Sequence, residues 1–305
     1  MAQRSGFIGL VGKPNVGKST IVNAFVGRKV TIVSPRPQTT RHRILGILTR
    51  PDVQAIFVDS PGWHKPEHPL GRYMLSVAKG VLQEADVLLA VIDAASKLTQ
   101  EDEWVFEHIR QAKRPSCLLA INKVDLVNKR LLLPLIAACA ERTLFEDIVP
   151  ISALAGDNMD RLLQLLVMRL PEGPRWYEAD QLTDQATDRI IREFIREQAL
   201  YATRQEVPHA VAVQLDSVTT KEPPPDRPKA KGLVVIQATI LVERPGQKAI
   251  LIGRQGRTLK QIGTAARLDL ERWLGRKVFL ELWVKVAKEW RANPRLLREL
   301  GYGSG

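Results

Sequence analysis

The sequence predicts two domains, an α/β domain with a mainly parallel sheet followed by a smaller α+β domain. Short apolar segments alternate with helical segments through the first half of the 305 residues, as a parallel sheet requires. The run Pro171-Glu172-Gly173-Pro174 then interrupts this alternation, because proline and glycine end helices and strands. The remainder runs in the order helix, strand, strand, helix, tight turn, helix, strand. We therefore expect a first domain at 1–172, a linker at 173–183 and a second domain at 184–305.

The elements of the first domain are predicted from the spacing of their apolar residues. Six apolar runs of strand length are expected to form the sheet, at 7–11, 44–48, 54–58, 87–93, 117–122 and 147–151. Five segments are expected to form its helices, at 18–26, 70–84, 101–112, 130–143 and 159–170. The second and third of these strands lie close enough in sequence to pair with each other.

The elements of the second domain follow from the same patterns. Helices are expected at 184–206, 246–252, 257–274 and 290–300, and strands at 211–215, 233–242 and 278–286. A loop rich in proline and lysine is expected at 221–231, and a turn at 253–256.

The composition predicts a soluble protein with an anionic partner. The net charge is +12 and the isoelectric point about 9.9, and most of the excess positive charge lies after residue 183. Such a balance favours nucleic acid as the partner, and a membrane surface next. No apolar run approaches the ~18 residues of a membrane span, and Cys117 and Cys139 fit no metal or disulfide pattern. We expect a cytoplasmic protein in which both thiols are buried.

A complete phosphate-binding loop follows the first predicted strand, Gly12-Lys13-Pro14-Asn15-Val16-Gly17-Lys18-Ser19 with Thr20 behind it. Its glycines allow successive backbone N–H groups to turn toward the phosphates of a nucleoside triphosphate. Lys18 is expected to reach the β- and γ-phosphates, and the Ser19 hydroxyl to ligate Mg²⁺. The loop lies between a predicted strand and a predicted helix, which is the context that gives this motif its specificity.

Two further segments are expected to surround the γ-phosphate. Asp59, at the end of the third predicted strand, can hold Mg²⁺ through water, and the N–H of Gly62 can meet the γ-phosphate. The stretch Gln38-Thr39-Thr40-Arg41 occupies the place of a first switch segment. Thr40 is its expected ligand of Mg²⁺, and Thr39 is the alternative. The residues of these segments and of the loop that are expected to act in catalysis are Lys18, Thr40, Gly62 and Asn15.

A second motif, Asn122-Lys123-Val124-Asp125, identifies the base. The Asp125 carboxylate can accept hydrogen bonds from the two adjacent N–H groups of guanine, a donor pair that adenine lacks. Adenine would leave this carboxylate unpaired, so the pocket discriminates strongly against it. Lys123 is expected to pack its stem across the base, and backbone N–H groups of Ser152-Ala153-Leu154 to meet the guanine oxygen. The sequence therefore predicts binding of GTP.

The turn in the second domain resembles the clamp of KH domains. In the run Ile252-Gly253-Arg254-Gln255-Gly256, two glycines between helical segments allow the close approach of a nucleotide backbone. The order of elements matches a type II KH domain, and the domain is basic. The nearby cations that can meet phosphate are Lys248, Arg254, Arg257 and Lys260. The rings of Trp273, Trp283 and Trp290 are expected to lie in the core rather than to stack on bases.

Longer strings extend the resemblance over nearly the whole chain. Those in the first domain are Pro14-Asn15-Val16-Gly17-Lys18-Ser19-Thr20 and Gln38-Thr39-Thr40-Arg41-His42-Arg43, and those in the second are Glu243-Arg244-Pro245-Gly246-Gln247-Lys248, Leu280-Glu281-Leu282-Trp283-Val284-Lys285-Val286 and Leu297-Arg298-Glu299-Leu300-Gly301-Tyr302. Together they resemble the Era family of ribosome-assembly GTPases, within the translation-factor class. The resemblance implies a GTPase domain and a type II KH domain that binds 16S ribosomal RNA near its 3′ end and assists 30S subunit assembly. It also implies GTP and GDP as ligands, a monomer, and peripheral contact with the inner membrane.

One residue departs from the pattern of Ras-like GTPases. Trp63 follows Gly62, where those enzymes carry a glutamine that orients the attacking water. An indole cannot do this, so we expect Trp63 to pack with apolar side chains and intrinsic turnover to be slow. GTPases that resemble this chain use the asparagine of the loop to hold K⁺ for catalysis, and Asn15 matches that asparagine. The alternative is that Asn15 only caps the loop backbone.

Three other functions stay open at this point. A P-loop ATPase or kinase would not need the guanine motif, and nucleotide competition distinguishes it. A GTPase that acts on tRNA or on a membrane surface would use the basic domain differently, and liposome flotation against RNA competition separates these cases. A non-catalytic RNA scaffold that only holds nucleotide is kept open by Trp63, and a turnover assay decides.

Overall fold

A computed structural model describes residues 3–112, 116–203, 207–222 and 232–302. The chain divides into two compact units. The first unit comprises Met1–Val33, Pro37–Glu67 and Gly71–Asp184, and the second comprises Ser34–Arg36, His68–Leu70 and Gln185–Gly305. Within the described ranges, every helix is too short or too polar to span a bilayer.

A six-stranded sheet organises the first unit. Its strands are β1 (Arg4–Val11), β2 (Ile44–Arg50), β3 (Val53–Asp59), β4 (Val87–Asp93), β5 (Cys117–Asn122) and β6 (Asp147–Pro150). Their order across the sheet is β2, β3, β1, β4, β5, β6, and among them β2 alone runs antiparallel to its neighbour. Strands β4 and β5 are buried almost throughout, which explains why they are unbroken apolar runs in the sequence. The predicted α/β fold with a mainly parallel sheet is confirmed.

The helices that alternate with these strands are α1 (Lys18–Val26), α2 (Pro69–Glu84), α3 (Gln100–Ala112), α4 (Leu132–Ala140) and α5 (Met159–Met168). Helix α4 is shorter than the predicted 130–143. Pro134 lies in its first turn, where backbone N–H groups need no partner within the helix, and a 3₁₀ turn at Lys129–Leu131 precedes it. Thr143, beyond its end, has a positive φ of 49°, which a helix does not contain.

The segment predicted as a linker packs against the first unit. The fully buried Gln54 donates from Nε2 to the carbonyl of Tyr177 at 2.8 Å, and its Oε1 accepts from the N–H of Trp176 at 2.7 Å. The Trp176 ring lies 5.5 Å from the ring of Phe7. Gln54 thus satisfies backbone groups of the segment that water would otherwise satisfy. The boundaries 1–172, 173–183 and 184–305 stay a prediction.

A three-stranded sheet and four helices form the described part of the second unit after residue 184. The strands are β7 (Ala212–Lys221), β8 (Leu233–Val242) and β9 (Lys277–Val286), and the helices are α6 (Thr187–Ala202), α7 (Pro245–Ile252), α8 (Arg257–Leu274) and α9 (Pro294–Glu299). Strand β8 pairs antiparallel with β7 and parallel with β9. Parallel strands need a crossover, which α7, the turn at 253–256 and α8 provide. This arrangement confirms the predicted KH-type second domain.

Two elements of this unit differ from the sequence prediction. Strand β7 is much longer than 211–215, because a bulge between Leu215 and Ser217 shifts its alternation of apolar and polar residues. The predicted helix at 290–300 is a 3₁₀ turn followed by α9. Asn293 separates the two, and its side chain accepts from the N–H groups of Arg295 and Leu296 as an N-cap.

The remaining predictions for this unit have mixed outcomes. Trp290 is fully buried, as expected, whereas Trp283 is 48% exposed, so its predicted place in the core is wrong. Trp283 lies at an edge strand and on the face that the long helices leave uncovered, which periodicity alone does not show. Residues 223–231 of the predicted loop, and the last three residues of the predicted helix at 184–206, lie outside the described ranges.

Candidate GTP site and nucleic-acid interface

The phosphate-binding loop connects β1 to α1 and depends on its glycines. A Cβ atom on Gly12 would lie 2.4 Å from the carbonyl oxygen of Val91, and one on Gly17 would lie 2.1 Å from the side-chain nitrogen of Asn122. Lys18 extends back over this loop and donates from Nζ to the carbonyls of Gly12 and Lys13, at 2.9 and 3.0 Å. Burial lowers the pKa of Lys18 to about 8, against the opposing effect of the Asp59 carboxylate.

Lys13 fixes the loop to the start of α3. Its Nζ donates to Asp102 Oδ2 at 2.8 Å and lies 3.3 Å from the hydroxyls of Ser96 and Thr99. Both charged side chains are largely buried. The Asp102 carboxylate also accepts from the N–H of Thr99 at 2.9 Å, which caps the helix. Lys13 therefore acts here as an anchor of the loop.

Ser19, Thr40 and Asp59 bring three side-chain oxygens together beside the loop. Ser19 Oγ lies 2.9 Å from Thr40 Oγ1 and donates to Asp59 Oδ2 at 2.7 Å. Thr40 Oγ1 lies 3.3 Å from the same carboxylate oxygen. Asp59 is fully buried, and burial raises its pKa against the hydrogen bonds and the Lys18 charge that lower it. Its second oxygen, Oδ1, is buried without a hydrogen-bond partner among the described residues.

The segment after β3 presses against the phosphate loop. A Cβ atom on Gly62 would lie 2.6 Å from the backbone of Pro14, and the N–H of Trp63 donates to the carbonyl of Gly12 at 3.1 Å. The Trp63 ring is fully buried, with ring centroids 5.5 Å from Trp104 and 4.9 Å from His108. Its indole is therefore a core side chain and does not reach toward a nucleotide.

The base end is assembled from two loops that Asn122 ties together. Asn122 Nδ2 donates to the carbonyl of Val16 at 2.8 Å, and its Oδ1 accepts from the N–H of Ala153 at 3.0 Å. Lys123 Nζ donates to the carbonyl of Asn15 at 2.8 Å and pairs with Asp93 Oδ2 at 2.5 Å. Asp125 is exposed in the adjoining 3₁₀ turn, where its carboxylate is accessible to a base.

The neighbouring loop at 152–154 has a defined conformation as well. Ser152 is fully buried, and its Oγ accepts from the N–H of Ala155 at 3.0 Å. Leu154 points outward and is 85% exposed. The structure therefore brings the predicted residues of the phosphate, magnesium and base ends into one site.

The clamp loop of the second unit, residues 253–256, also depends on glycine. Gly253 and Gly256 have φ values of 71° and 76°, and Gln255 between them has a φ of 53°. A Cβ atom on Gly253 would lie 2.2 Å from Thr258 Oγ1. Arg254 and Gln255 are exposed at the tip of the loop. The strained backbone presents these two side chains outward.

A cavity of about 380 Å³ lies between α8 and β9 beside this loop. Its lining residues are Gly256, Leu259, Lys260, Gly263, Thr264, Arg267, Leu280 and Leu282. Leucines supply apolar surface for a base, and Lys260 and Arg267 supply positive charge for phosphate. The other predicted members of this interface lie around the loop, outside the cavity lining: Lys248, Ile252, Gly253, Arg254, Gln255 and Arg257.

Comparison with known proteins identifies both units. The family described as 50S ribosome-binding GTPase matches residues 7–123, and the KH domain family matches residues 206–291. The solved structure of Era in complex with MgGDPNP and nucleotides 1506–1542 of 16S ribosomal RNA is 40% identical, with a TM-score of 0.92 over 99% of this chain and 100% of that chain. The chain belongs to the Era family. A variant of Aquifex aeolicus Era bound to GDP and AlF₄⁻ has the same identity, TM-score and coverage.

As an Era-family member the protein is a P-loop GTPase joined to a KH domain, and the residues present fit Mg²⁺. Two oxygens that occupy adjacent corners of a magnesium octahedron lie about 2.9 Å apart, since each bond is about 2.0–2.1 Å. Ser19 Oγ and Thr40 Oγ1 have this separation. The buried, unpartnered Oδ1 of Asp59 adds an oxygen acceptor that a cation or its water can satisfy.

Several residues of this Era-family site escaped sequence reasoning. Asp93 and Asp102 hold Lys123 and Lys13, yet a single acidic residue at a strand end or helix start carries no motif. His64 lies 2.9 Å from the carbonyl of Gly62, and its only signal was its position two residues after that glycine. Arg267 is not among the predicted phosphate contacts, although the period of α8 puts it on the same face as Lys260 and Gly263.

Proposed function

We propose that this protein is a GTP-controlled switch that binds the 3′ end of 16S ribosomal RNA and assists assembly of the 30S subunit. The observation that carries the proposal is the joint presence of the Ser19–Thr40–Asp59 oxygen set and the strained clamp loop at 253–256 in one chain. The first is suited to a magnesium-bound nucleoside triphosphate, and the second to a single-stranded backbone.

The GTPase residues divide the work at the phosphate end. Lys18 exchanges its two backbone carbonyl partners for phosphate oxygens, which keeps its charge within the loop. The N–H of Gly62 donates to the γ-phosphate, and Thr40 of the first switch segment and Ser19 of the phosphate loop hold the cation. Mg²⁺ held by these side chains would supply positive charge against the negative charge that develops on the phosphates. Residues 59–63 form the second switch segment. Loss of the γ-phosphate removes what Thr40 and Gly62 hold together, so both segments are released.

The base end selects guanine. Asp125 accepts from the guanine N–H pair, and the Lys123 stem lies over the ring because Asp93 and the carbonyl of Asn15 fix its ammonium group. Asn122 links the phosphate loop to Ala153, so recognition of the base and of the phosphates occurs on one connected frame.

We also propose that Asn15 helps to hold K⁺ during hydrolysis. Asn15 has a positive φ of 63° in the loop, and its carbonyl already accepts from Lys123. The loop that carries its side chain is held by Lys123 at this carbonyl and by Lys18 at the carbonyls of Gly12 and Lys13. A K⁺ ion supplies positive charge where other GTPases use an arginine. Binding of GDP with AlF₄⁻ should be tighter in KCl than in NaCl, and this difference should disappear in Asn15→Ala. An unchanged difference would exclude this role.

The proposed location in the cell, membrane contact and oligomeric state rest on membership of the Era family and on the net positive charge. We propose a cytoplasmic monomer that contacts the inner membrane peripherally. The net charge of +12 supports attraction to anionic lipid headgroups as well as to RNA. Flotation with vesicles that contain anionic lipid, in the presence and absence of competing RNA, tests the membrane contact. Sedimentation over a range of protein concentrations tests the monomer.

The central experiment measures binding of single-stranded RNA from the 3′ end of small-subunit rRNA with GTP analogue, GDP and no nucleotide, at fixed salt. The proposal predicts that affinity differs between nucleotide states, and that RNA changes the affinity for GTP analogue by the same factor. Equal RNA affinity in all three states would contradict the switch.

Substitutions that test the clamp loop must leave its backbone conformation intact. Gly253→Asp would add a Cβ atom that meets Thr258, so loss of binding could reflect misfolding. Arg254→Ala with Lys260→Ala removes two exposed cations and leaves the glycines in place. Arg295→Ala with Arg298→Ala removes the same charge from exposed positions on α9 and serves as the control. Only the first pair should weaken RNA binding beyond the general effect of lost charge.

A further inference from the structure

The sheet of the second unit has one face that α6 and α8 leave uncovered. Side chains alternate along a strand, so Leu280 and Leu282 of β9 face the clamp cavity while Phe279 and Trp283 face the other way. Phe279 is 50% exposed and Trp283 is 48% exposed. Half-exposed rings of this size expose apolar surface that a soluble protein normally buries.

The pairing of β8 with β9 determines which residues lie side by side on this face. Val235 lies beside Phe279, Gln237 beside Glu281, and Thr239 beside Trp283. We call the surface formed by these six residues the open face. Because Phe279 and Trp283 are four residues apart on one strand, their Cα atoms are separated by about 13 Å. The row formed by Gln237 and Glu281 lies between the two ring positions.

The polar groups between the rings are held down by hydrogen bonds. Gln237 donates from Nε2 to Glu281 Oε2 at 2.7 Å, and its Oε1 accepts from Ser217 Oγ at 2.7 Å. Thr239 donates to Asp216 Oδ2 at 2.8 Å. The two carboxylates of this region, Glu281 and Asp216, thus each accept a hydrogen bond from a side chain of β8. The side chains between the two rings are therefore polar and hydrogen-bonded to one another.

Two lysines of β9 alternate in phase with the rings, and one of them, Lys277, pairs with Glu271 of α8. Lys277 and Lys285 alternate in phase with Phe279 and Trp283, and both are exposed. Lys277 also lies 3.6 Å from Glu271, at a position where its side chain is 80% exposed. Two exposed aromatic rings with polar side chains between them, and Lys285 two residues beyond Trp283, suit single-stranded nucleic acid, which stacks its bases on rings and its phosphates against cations. A protein partner would instead favour a continuous apolar centre.

We propose that the open face is a stacking platform for bases of single-stranded RNA that leaves the clamp over β9. This inference rests on the proposed RNA binding of the KH domain. Strand β9 is at the edge of the sheet, supplies Leu280 and Leu282 to the cavity, and carries Phe279 and Trp283 on its reverse side. A KH clamp holds about four nucleotides. RNA that continues past the cavity therefore reaches the open face within one strand width, about 5 Å.

The test compares two RNAs and two variants of the full chain. The RNAs come from the 3′ end of small-subunit rRNA and have about four and about twelve nucleotides, which span the clamp alone and the clamp plus the platform. Phe279→Leu with Trp283→Leu removes both ring faces but keeps apolar side chains. Phe279→Tyr with Trp283→Phe retains both ring faces and is the matched control.

The platform predicts that the leucine pair weakens binding of the long RNA about tenfold or more and leaves the short RNA unaffected, whereas the aromatic pair binds both RNAs like the parent. Equal affinity of the leucine pair and the parent for the long RNA overturns the inference and leaves the open face to a protein partner. If the parent binds neither RNA, the proposed function itself fails.

A second measurement keeps the inference testable if the leucine pair also loses the short RNA. The long RNA carrying 5-iodouridine is photo-crosslinked to the parent protein, and the crosslinked peptides are identified. Crosslinks to Phe279 or Trp283 with the long RNA, and none with the short RNA, support the platform. Crosslinks confined to the clamp and its cavity overturn it.

Discussion

The Nε2 atoms of Gln38 and His64 lie 3.2 Å apart, and the imidazole spans the space between the two switch segments. His64 Nδ1 lies 2.9 Å from the carbonyl of Gly62, which can only accept, so Nδ1 carries the proton. In the neutral ring Nε2 is then an acceptor, and the Gln38 amide donates to it. One imidazole thus connects the segment that contains Thr40 to Gly62, whose N–H we propose donates to the γ-phosphate.

Removal of this imidazole should slow hydrolysis. His64→Ala takes away the hydrogen bond to Gln38 that joins the two switch segments, and a hydrogen bond contributes about 0.5–1.5 kcal/mol, or about two- to tenfold in rate. We expect kcat for GTP to fall by this factor while the Kd for GDP stays the same. Lys65→Ala, at the exposed neighbouring position, is the control. A parental kcat in His64→Ala would show that the connection has no part in turnover.

The buried pair of Lys13 and Asp102 gives a second prediction. Asp102→Asn leaves the Lys13 charge buried without its counter-charge, which costs about 3–5 kcal/mol in comparable pairs. Both the thermal midpoint and the affinity for GDP should fall. Lys13→Met with Asp102→Leu should recover stability, since no charge is left unpaired, whereas the exposed neighbour change Glu101→Gln should have little effect. Calorimetry and fluorescent GDP titration measure the two quantities.

Asp125 should determine the base. Asp125→Asn replaces an acceptor of two N–H groups with an amide, so affinity for GTP should fall about tenfold to a hundredfold, the effect of a lost charged hydrogen bond. Xanthosine triphosphate, which presents a carbonyl in place of the guanine amino group, should gain affinity because the new amide can donate to it. Asp160→Asn, an exposed carboxylate on α5, is the control. Competition of both nucleotides against labelled GDP gives the answer.

The Cys117 thiol should be inert in the folded protein. Burial raises its pKa from 9.0 to about 12, and it is 5% exposed. Maleimide at neutral pH should modify it only after denaturation. The sign of the pH effect follows from linkage: the unfolded thiol ionises first as pH rises, so the stability contributed by the protonated folded thiol is complete below about pH 9 and is lost above it. The stability difference between the parent and Cys117→Ala should shrink between about pH 9 and about pH 12.

The sequence predicts most strongly those parts that local chemistry determines. The glycines of the phosphate loop, the Asn122–Asp125 motif and the clamp glycines each require a backbone conformation or a donor set that few other residues supply. Such requirements are readable without knowledge of the fold. Strands β4 and β5 and helices α1 and α8 were predicted residue for residue, because each combines a strong apolar pattern with clear ends.

What sequence could not predict depends on contacts between distant segments. Gln54 looks like an ordinary polar residue in a strand, yet it captures the backbone of Trp176 and Tyr177 more than a hundred residues away. Trp283 has a large apolar side chain of the kind usually buried in a core. Its exposure is explained by the three-stranded sheet, which has one uncovered face. These outcomes follow from which surfaces the helices cover, and periodicity does not contain that information.

The parallel pairing of β8 with β9 has a consequence for the order in which the protein matures. A parallel pair cannot close before the crossover and the final strand exist, so the floor of the clamp cavity at Leu280 and Leu282 forms only after most of the chain has been synthesised. The sheet of the first unit needs nothing beyond Pro150. Domains fold from the N-terminus during translation. A nascent chain therefore completes its nucleotide pocket before the cavity that lies beside the clamp loop.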